Sequence, residues 1–186
     1  MSGDTIVVTA DVALTETLTF PYGRSGLVVH GSRGAGVANR TVIAGDGTFP
    51  LIYVEETEVT FEDLVLTRGN GEEDHTAGAI IADSGAMVTI RRCTVSHNRG
   101  LKTGGAFYAS QSVMLVEDSL MELNEAVEGP GGAMYLYYDA QATILRTSFV
   151  NNQAGTSGGA ISFSLCKNSI VEPSIIKGCD FSHNNA

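Results

Sequence analysis

Basic residues, cysteines and long apolar runs are all scarce in this sequence of 186 residues. Eleven Lys and Arg against 21 Asp and Glu give a formal net charge of −10, which would repel a nucleic acid and also a polyuronate chain. No apolar run reaches the roughly 18 residues of a membrane-spanning helix, so we expect no membrane insertion. Three Cys are too few for a disulfide framework.

Helical periodicity is also missing, because no segment keeps a 3.6-residue apolar period over three turns. The sequence has no Trp and only four Pro, but it has 22 Gly, which suit tight turns. Short strand-like segments follow one another about every ten residues over the first 58 positions, a spacing typical of β structure. The fold class that we expect is therefore all-β.

A short motif then repeats at a fixed distance. Gly-Ala elements begin every 27 residues, at Ala77, Gly104, Gly131 and Gly158. A fixed period of this length is the signature of a solenoid. A second template, apolar-x-apolar-x-x-apolar-x-apolar, predicts two short strands that meet at a corner. Its copies begin at Val59, Val88, Met114, Ala142 and Ser174.

With a third strand starting at each Gly-Ala element, the pattern predicts a parallel β-helix. It would have three strands per turn and about six or seven turns. We expect one domain over residues 1–186, with an N-terminal cap (1–20), irregular first turns (21–58) and regular repeats (59–186). The sequence ends in mid-pattern, so we also expect it to be a piece of a longer secreted protein.

One Asn follows each copy of the template. In stacked turns these side chains would hydrogen-bond to one another in a ladder. The predicted ladder residues are Asn70, Asn98, Asn124, Asn152 and Asn184.

The two corner residues of each template alternate in charge from turn to turn. Glu62-Asp63 is followed by Arg91-Arg92, and that pair by Glu117-Asp118. Because neighbouring turns lie about 4.8 Å apart, these residues should form ion pairs that fix the register of the turns. We found no face with two or three Asp in adjacent turns without compensating Arg, and we therefore predict no catalytic residues.

The candidate ligand-binding residues are aromatic. The side chains of Tyr53, Tyr108, Tyr135 and Tyr137 should project outward from the strands that follow the Gly-Ala elements. Exposed Tyr can stack on sugar rings or anchor a protein partner, or it can only stiffen the sheet. The acidic residues Glu72, Glu73 and Asp74 could hold calcium, although a solvated loop explains them better. We predict no other cofactor or metal.

The doublet formed by Gly104-Gly105-Ala106-Phe107 and Phe149-Val150-Asn151-Asn152 resembles the repeats of the chlamydial polymorphic outer membrane proteins. That resemblance implies a right-handed β-helix of the pectate-lyase-like superfamily that works as a surface adhesin. We therefore expect a non-enzymatic extracellular or cell-surface scaffold that binds glycan or protein. The alternative is a fragment of a polysaccharide lyase, hydrolase or epimerase. End-to-end self-association, or continuation into a parent chain, is also expected because strand edges stay open at the last turn.

Overall fold

A computed structural model describes residues 3–20, 22–23, 25–32, 40–73, 76–166 and 173–186. All regular structure within these ranges is β-strand. No segment in them forms a helix with the length and hydropathy of a transmembrane span.

The strands follow one another in successive coils. The first two coils contain β1 (Thr5–Val8), β2 (Val12–Ala13), β3 (Leu18–Phe20), β4 (Leu27–Gly31), β5 (Thr41–Ala44) and β6 (Ile52–Glu55). The next two contain β7 (Glu58–Glu62), β8 (Leu64–Thr67), β9 (Asn70–Gly71), β10 (Ile80–Asp83), β11 (Met87–Arg91), β12 (Thr94–Ser96), β13 (Arg99–Gly100) and β14 (Phe107–Ser110). The remaining strands are β15 (Val113–Glu117), β16 (Leu120–Glu122), β17 (Glu125–Ala126), β18 (Met134–Tyr137), β19 (Gln141–Leu145), β20 (Ser148–Val150), β21 (Gln153–Ala154), β22 (Ile161–Ser164), β23 (Ile175–Lys177) and β24 (Asp180–Ser182).

These strands form three long sheets, each with one strand per coil. The first sheet has the order β1-β4-β7-β11-β15-β19-β23, the second β2-β5-β8-β12-β16-β20-β24, and the third β3-β6-β10-β14-β18-β22. Every strand pair is parallel, as expected when successive coils stack directly on one another. The predicted all-β solenoid of about six or seven turns is confirmed.

A short sheet of two-residue strands, β9-β13-β17-β21, was not predicted. In the four coils that contain these strands, it lies between the second and the third sheet. The first 20 residues, expected to be a cap, supply β1, β2 and β3 at one edge of the long sheets.

Alternation of side chains along the strands builds the core. The inward column of the first sheet runs through Phe61, Ile90, Val116 and Ile144, all of them fully buried. In the second sheet Leu66, Val95, Met121 and Phe149 form the equivalent column. Each coil thus contributes one layer to a continuous apolar interior, as in other solenoids.

From the third coil onward, a single residue in left-handed conformation makes the corner between the first and second sheets. The φ angles there are 55° at Asp63, 51° at Arg92, 48° at Asp118 and 47° at Arg146. In the last coil Gly178 takes the position, with φ 63°. The corner thus tolerates side chains, which it directs to the outside of the coil.

The Asn ladder contains four of the five predicted residues. The backbone N–H and the Nδ2 of Asn98 both donate to Oδ1 of Asn124, each at 3.1 Å. The same bonds join Asn124 to Asn152 and Asn152 to Asn184, at 2.9–3.1 Å. The ladder therefore satisfies buried donors that water cannot reach.

Asn70 departs from the predicted ladder. The coil below Asn98 is 29 residues long, so Gly69 lies beneath Asn98 and donates its N–H to the Asn98 Oδ1 at 2.9 Å. Asn70 lies one position further on, where its Nδ2 donates to the carbonyl of Gly47 at 2.9 Å and to Glu72 at 3.1 Å. The variable length of the coils thus moves one Asn out of the column.

Candidate functional site

In the third sheet, every second side chain of a strand points into the core. The remaining side chains form two columns on the outer face. In one column, Tyr53, Ile81, Tyr108 and Tyr135 are register partners in β6, β10, β14 and β18. The parallel column, two residues further along each strand, contains Glu55, Asp83, Ser110 and Tyr137. We call these two columns the tyrosine–carboxylate face.

Three tyrosine rings of this face contact one another. Tyr108 lies 6.0 Å from Tyr135 and 6.4 Å from Tyr137 between ring centroids, and Tyr135 lies 5.8 Å from Tyr137. The ring of the exposed Tyr138 lies 6.2 Å from that of Tyr137. Such contacts hold the rings as a rigid cluster.

Tyr108 does not offer the open ring that the sequence led us to expect. It is only 3% exposed, and it packs with Ala77 and Ile81 in a small apolar cluster on the outside of the sheet. Tyr53, Tyr135 and Tyr137 pack against this cluster and stay half-buried. Of the four predicted ligand-binding residues, these three keep surface for a ligand, and their binding role stays a prediction.

Burial changes the acidity of two hydroxyls on this face. Burial raises the pKa of Tyr108 to about 12, although a hydrogen bond with Ser110 lowers it. The pKa of Tyr53 is raised by burial, then by the negative charges of Glu55 and Asp83 and by a hydrogen bond with Glu55. Both hydroxyls therefore stay protonated at neutral pH, where they can donate hydrogen bonds to oxygen atoms.

Glu55 and Asp83 are a pair of carboxylates that the sequence reasoning missed. They are register partners at the ends of β6 and β10, so their backbones lie about 4.8 Å apart. Asp83 Oδ1 accepts the N–H of Ser84 at 2.8 Å. Neither carboxylate forms an ion pair with Lys or Arg within the described part of the chain. In the sequence, the two carboxylates take the last position of Ile-Tyr-Val-Glu and of Ile-Ile-Ala-Asp. A search for Asp in adjacent turns does not find the pair, because one of its members is Glu.

The carboxylates at the corners between the first and second sheets differ from Glu55 and Asp83, because they form ion pairs with arginines. Arg92 makes two bonds to Asp63, at 3.0 and 2.8 Å, and Arg146 makes two to Asp118, at 2.6 and 2.9 Å. Arg91 joins Glu62 to Glu117 across three coils, at 2.9 and 3.0 Å. Arg92 thus bonds to the coil below it and not to Asp118, while Arg91 bonds in both directions.

One group of residues could hold a metal ion within the described ranges. It comprises His30, Glu62 and Asp63, with the His30 Nδ1 3.5 Å from Asp63 Oδ2 and 3.8 Å from Glu62 Oε2. Arg92 Nη2 already lies 2.8 Å from Asp63 Oδ2 and 3.1 Å from Glu62 Oε2. The guanidinium therefore supplies the positive charge that a cation would bring.

The predicted calcium residues lie in a different loop. Glu72 accepts a hydrogen bond from Asn70, Glu73 is exposed, and Asp74 lies outside the described residues. Calcium binding by this loop stays a prediction.

The corner ion pairs predict a loss of stability in acid. Hydrogen bonding with Arg92 lowers the pKa of Asp63 below the ordinary value of 3.8, so its contribution is present above that pH and disappears as the pH falls through the lowered value. We expect the urea midpoint to fall between pH 5 and pH 2, and Asp63→Asn to show a smaller fall. The same slope in Asp63→Asn and in a control, Asp180→Asn, would contradict this assignment.

Comparison with known proteins identifies the fold. A family model described as a right-handed β-helix region matches residues 18–186, so the handedness that we expected is correct. No curated protein sequence matches the chain. Among solved structures, a pectin methylesterase from Aspergillus niger in deglycosylated form is similar over the whole chain and over 77% of its own length, with a TM-score of 0.56 and 12% identity.

These comparisons change two expectations. They show that the chain belongs with the right-handed parallel β-helices. They do not show a relation to the chlamydial repeats. They also contradict the expectation of a non-enzymatic protein, because a solved structure of similar fold is a pectin methylesterase.

Proposed function

Because the chain belongs to the right-handed β-helix family, we propose that it is a carbohydrate-active enzyme that binds a polysaccharide on its tyrosine–carboxylate face. One observation carries this proposal. Glu55 and Asp83 are in-register neighbours on an outer sheet face, with no Lys or Arg partner in the described ranges, beside Tyr53. A pair of carboxyl groups is what glycoside hydrolysis uses, and an aromatic ring beside the pair offers an apolar face for a sugar ring to pack on.

The proposed reaction is hydrolysis of a glycosidic bond. One carboxyl group protonates the oxygen of the leaving sugar, so that the C–O bond breaks, and the other acts on the anomeric carbon. Carboxyl groups about 5–5.5 Å apart work through a covalent intermediate, and those about 6.5–9.5 Å apart activate a water molecule. Glu55 and Asp83 leave neighbouring strands at the same register position, and we propose that they use the arrangement with the covalent intermediate. The second carboxylate thus forms an ester bond to the anomeric carbon. Water, which gives a proton to the first carboxylate, then attacks that carbon and breaks the ester bond, so both carboxyl groups return to their starting states.

Charge selects the substrate class. The pair is acidic, the whole chain carries −10, and the face has no Lys or Arg in its two columns. A polyuronate would meet repulsion along this face, whereas a neutral chain would not. We therefore propose a neutral polysaccharide, with sugar rings against Tyr135 and Tyr137.

A screen for turnover tests this function. The protein is incubated with neutral polysaccharides and, in parallel, with pectin and alginate, and new reducing ends are measured. We expect release from a neutral substrate, and its loss in Glu55→Gln and Asp83→Asn. Glu122→Gln, a carboxylate on the second sheet, is the matched control and should keep full turnover. Release from none of the polymers, or undiminished release by both variants, would refute the proposal.

The same tyrosines support a second role, attachment to a glycan-bearing surface outside the cell. The half-buried rings of Tyr135 and Tyr137 and the exposed ring of Tyr138 favour it. The Gly-Gly-Ala and Asn doublet supports a kinship with the chlamydial repeats and, with it, an extracellular or cell-surface location. Attachment without turnover predicts that the wild type and Glu55→Gln are both retained on a glycan column with no release of reducing ends, and that the double variant Tyr135→Ala with Tyr137→Ala is not retained.

A further inference from the structure

One corner of the coil joins the third sheet to the first, and the backbone turns in the same way there in five successive coils. The first residue after the strand is left-handed, with φ between 38° and 54°. The fold thus fixes the backbone at this corner and leaves the side chain free to vary. The side chain is polar or charged in the three earlier coils and large and mostly apolar in the two later ones. In chain order, these residues are Glu56, Ser84, Gln111, Tyr138 and Leu165.

Two of these turns are one residue longer than the others. The turns 83–86 and 137–140 are each closed by a backbone hydrogen bond, of 3.0 and 3.2 Å. Both contain a second left-handed residue, which is Gly85 in the first turn and Asp139 in the second, with φ 86° and 58°. Glycine is the residue that this conformation prefers. The later turn therefore carries a tyrosine and a carboxylate where the earlier one carries Ser and Gly.

Tyr138 is the most exposed ring of the tyrosine cluster. It is 47% exposed, whereas Tyr108 is 3% exposed and Tyr135 and Tyr137 are half-buried. Its ring centroid lies 6.2 Å from that of Tyr137, and the two planes are inclined by 39°. The ring is thus held in place by a neighbour and is open to solvent, as a ring that packs on a sugar must be.

Asp139, the next residue, is an exposed hydrogen-bond acceptor. Its backbone N–H donates to the carbonyl of Leu165 at 3.3 Å, which anchors the turn to the following coil. The Asp139 carboxylate forms no ion pair with Lys or Arg among the described residues. An ionised carboxylate only accepts hydrogen bonds, so both of its oxygens are available to hydroxyl groups. A ring followed by such an acceptor complements the apolar face and the hydroxyl groups of a sugar.

The turn lies at a fixed distance from the proposed catalytic pair. Tyr137, at the start of the turn, occupies the same column as Asp83, and β18 is two strands away from β10. Two strand spacings amount to about 10 Å along the coil axis. One strand spacing is close to the length of one sugar unit in an extended glycan. A sugar on Tyr138 is therefore about two units away from a sugar whose bond lies at Asp83.

We propose that Tyr138 and Asp139 form a sugar-binding subsite about two sugar units away from the catalytic pair, which we call the distal subsite. The inference rests on the proposed function for the identity of the ligand, a neutral polysaccharide. The Tyr138 ring packs on the apolar face of one sugar, and Asp139 accepts hydrogen bonds from its hydroxyl groups. A chain that spans both places binds more tightly than one that covers the carboxylate pair alone, because the second contact is intramolecular.

Binding is measured in the absence of turnover. Glu55→Gln is titrated with cello-, xylo-, manno- and malto-oligosaccharides of increasing length, by calorimetry and by tyrosine fluorescence. The chain has six Tyr and no Trp, so a change in emission reports on the tyrosine rings. We expect the affinity for at least one series to rise by about tenfold once the chain is long enough to reach the distal subsite. Adding Tyr138→Ala should remove this rise, and adding Tyr138→Phe should keep it, because the ring remains.

Asp139→Gly separates recognition from folding. The variant gives the turn the residue that Gly85 supplies in turn 83–86, so we expect an unchanged or higher urea midpoint together with a loss of the length-dependent rise. Leu123→Ala is the matched control, because Leu123 is 44% exposed and left-handed, with φ 54°, at the corner after the second sheet. It should leave the rise in affinity unchanged.

Three outcomes would overturn the distal subsite: no binding of any series, a length-dependent rise that survives Tyr138→Ala, or a lower midpoint of Asp139→Gly with undiminished binding. Catalysis is scored separately, by release of reducing ends from the same oligosaccharides by the wild type. Binding that depends on Tyr138 without any release would support the subsite and refute hydrolysis. Release whose dependence on chain length is the same in Tyr138→Ala would support hydrolysis and overturn the subsite.

Discussion

Phe149→Ala is expected to lower the free energy of unfolding by about 3–5 kcal/mol. Phe149 is fully buried, and its ring stacks on Phe181 with centroids 4.9 Å apart and an angle of 5° between the planes. Its neighbours below belong to the same rigid column, so the coil cannot close the cavity that the ring leaves. The loss should appear as a lower midpoint in urea unfolding at an unchanged slope.

Tyr135→Ala is the matched control, because the Tyr135 ring of β18 points to the outside of the coil whereas the Phe149 ring of β20 points into the core. The Tyr135 ring contacts Tyr108 and Tyr137 on the outer face, where it is half-buried and leaves no closed cavity. We expect a loss of about 1–2 kcal/mol. Equal losses in the two variants would mean that the inward and outward faces are assigned incorrectly.

Gly132→Ala should destabilise the protein by about 3 kcal/mol or more, although it adds only one methyl group. A β-carbon at Gly132 would overlap the carbonyl oxygen of Gly159 in the next coil and would lie 2.7 Å from the backbone of Gln153. The obstacles are backbone atoms, which move only if neighbouring coils separate. The measurement is again the urea midpoint, with far-UV circular dichroism to confirm strand content.

Gly178→Ala is the control for this substitution. Gly178 has φ 63°, and a β-carbon there would lie 3.7 Å from the Arg146 side chain, an ordinary contact. Asp63, Arg92, Asp118 and Arg146 hold the same corner conformation in other coils. We expect a cost of about 1 kcal/mol, the ordinary penalty for a side chain in this conformation. A larger cost at Gly178 than at Gly132 would contradict the close approach of the coils at the Gly-Ala element.

Local pattern was enough to predict the coil. The alternation at Val59 and Phe61 recurs at Val88 and Ile90, and a period-2 pattern fixes which side of a strand enters the core. Recurrence at a nearly constant distance then requires the turns to stack. The corner charges could be predicted for the same reason, because they occupy one position in every copy.

The candidate site could be predicted only in part. Alternation showed that Tyr53, Tyr108 and Tyr135 point outward, but it did not show that Ala77 and Ile81 would cover Tyr108. How deeply Tyr108 is covered depends on how the side chains of neighbouring coils pack against its ring, which the alternation along a single strand does not give.

The sequence by itself determined the fold class, the inward columns and the recurrence of the Gly-Ala elements, because each follows from a spacing that the chain repeats. Only the tertiary structure decided which residues meet across coils, since the stacked positions are separated by 29, 26, 28 and 32 residues in successive coils of the Asn column. That variation placed Gly69 instead of Asn70 beneath Asn98. The pairing of Glu55 with Asp83 likewise depends on a register that no single repeat contains.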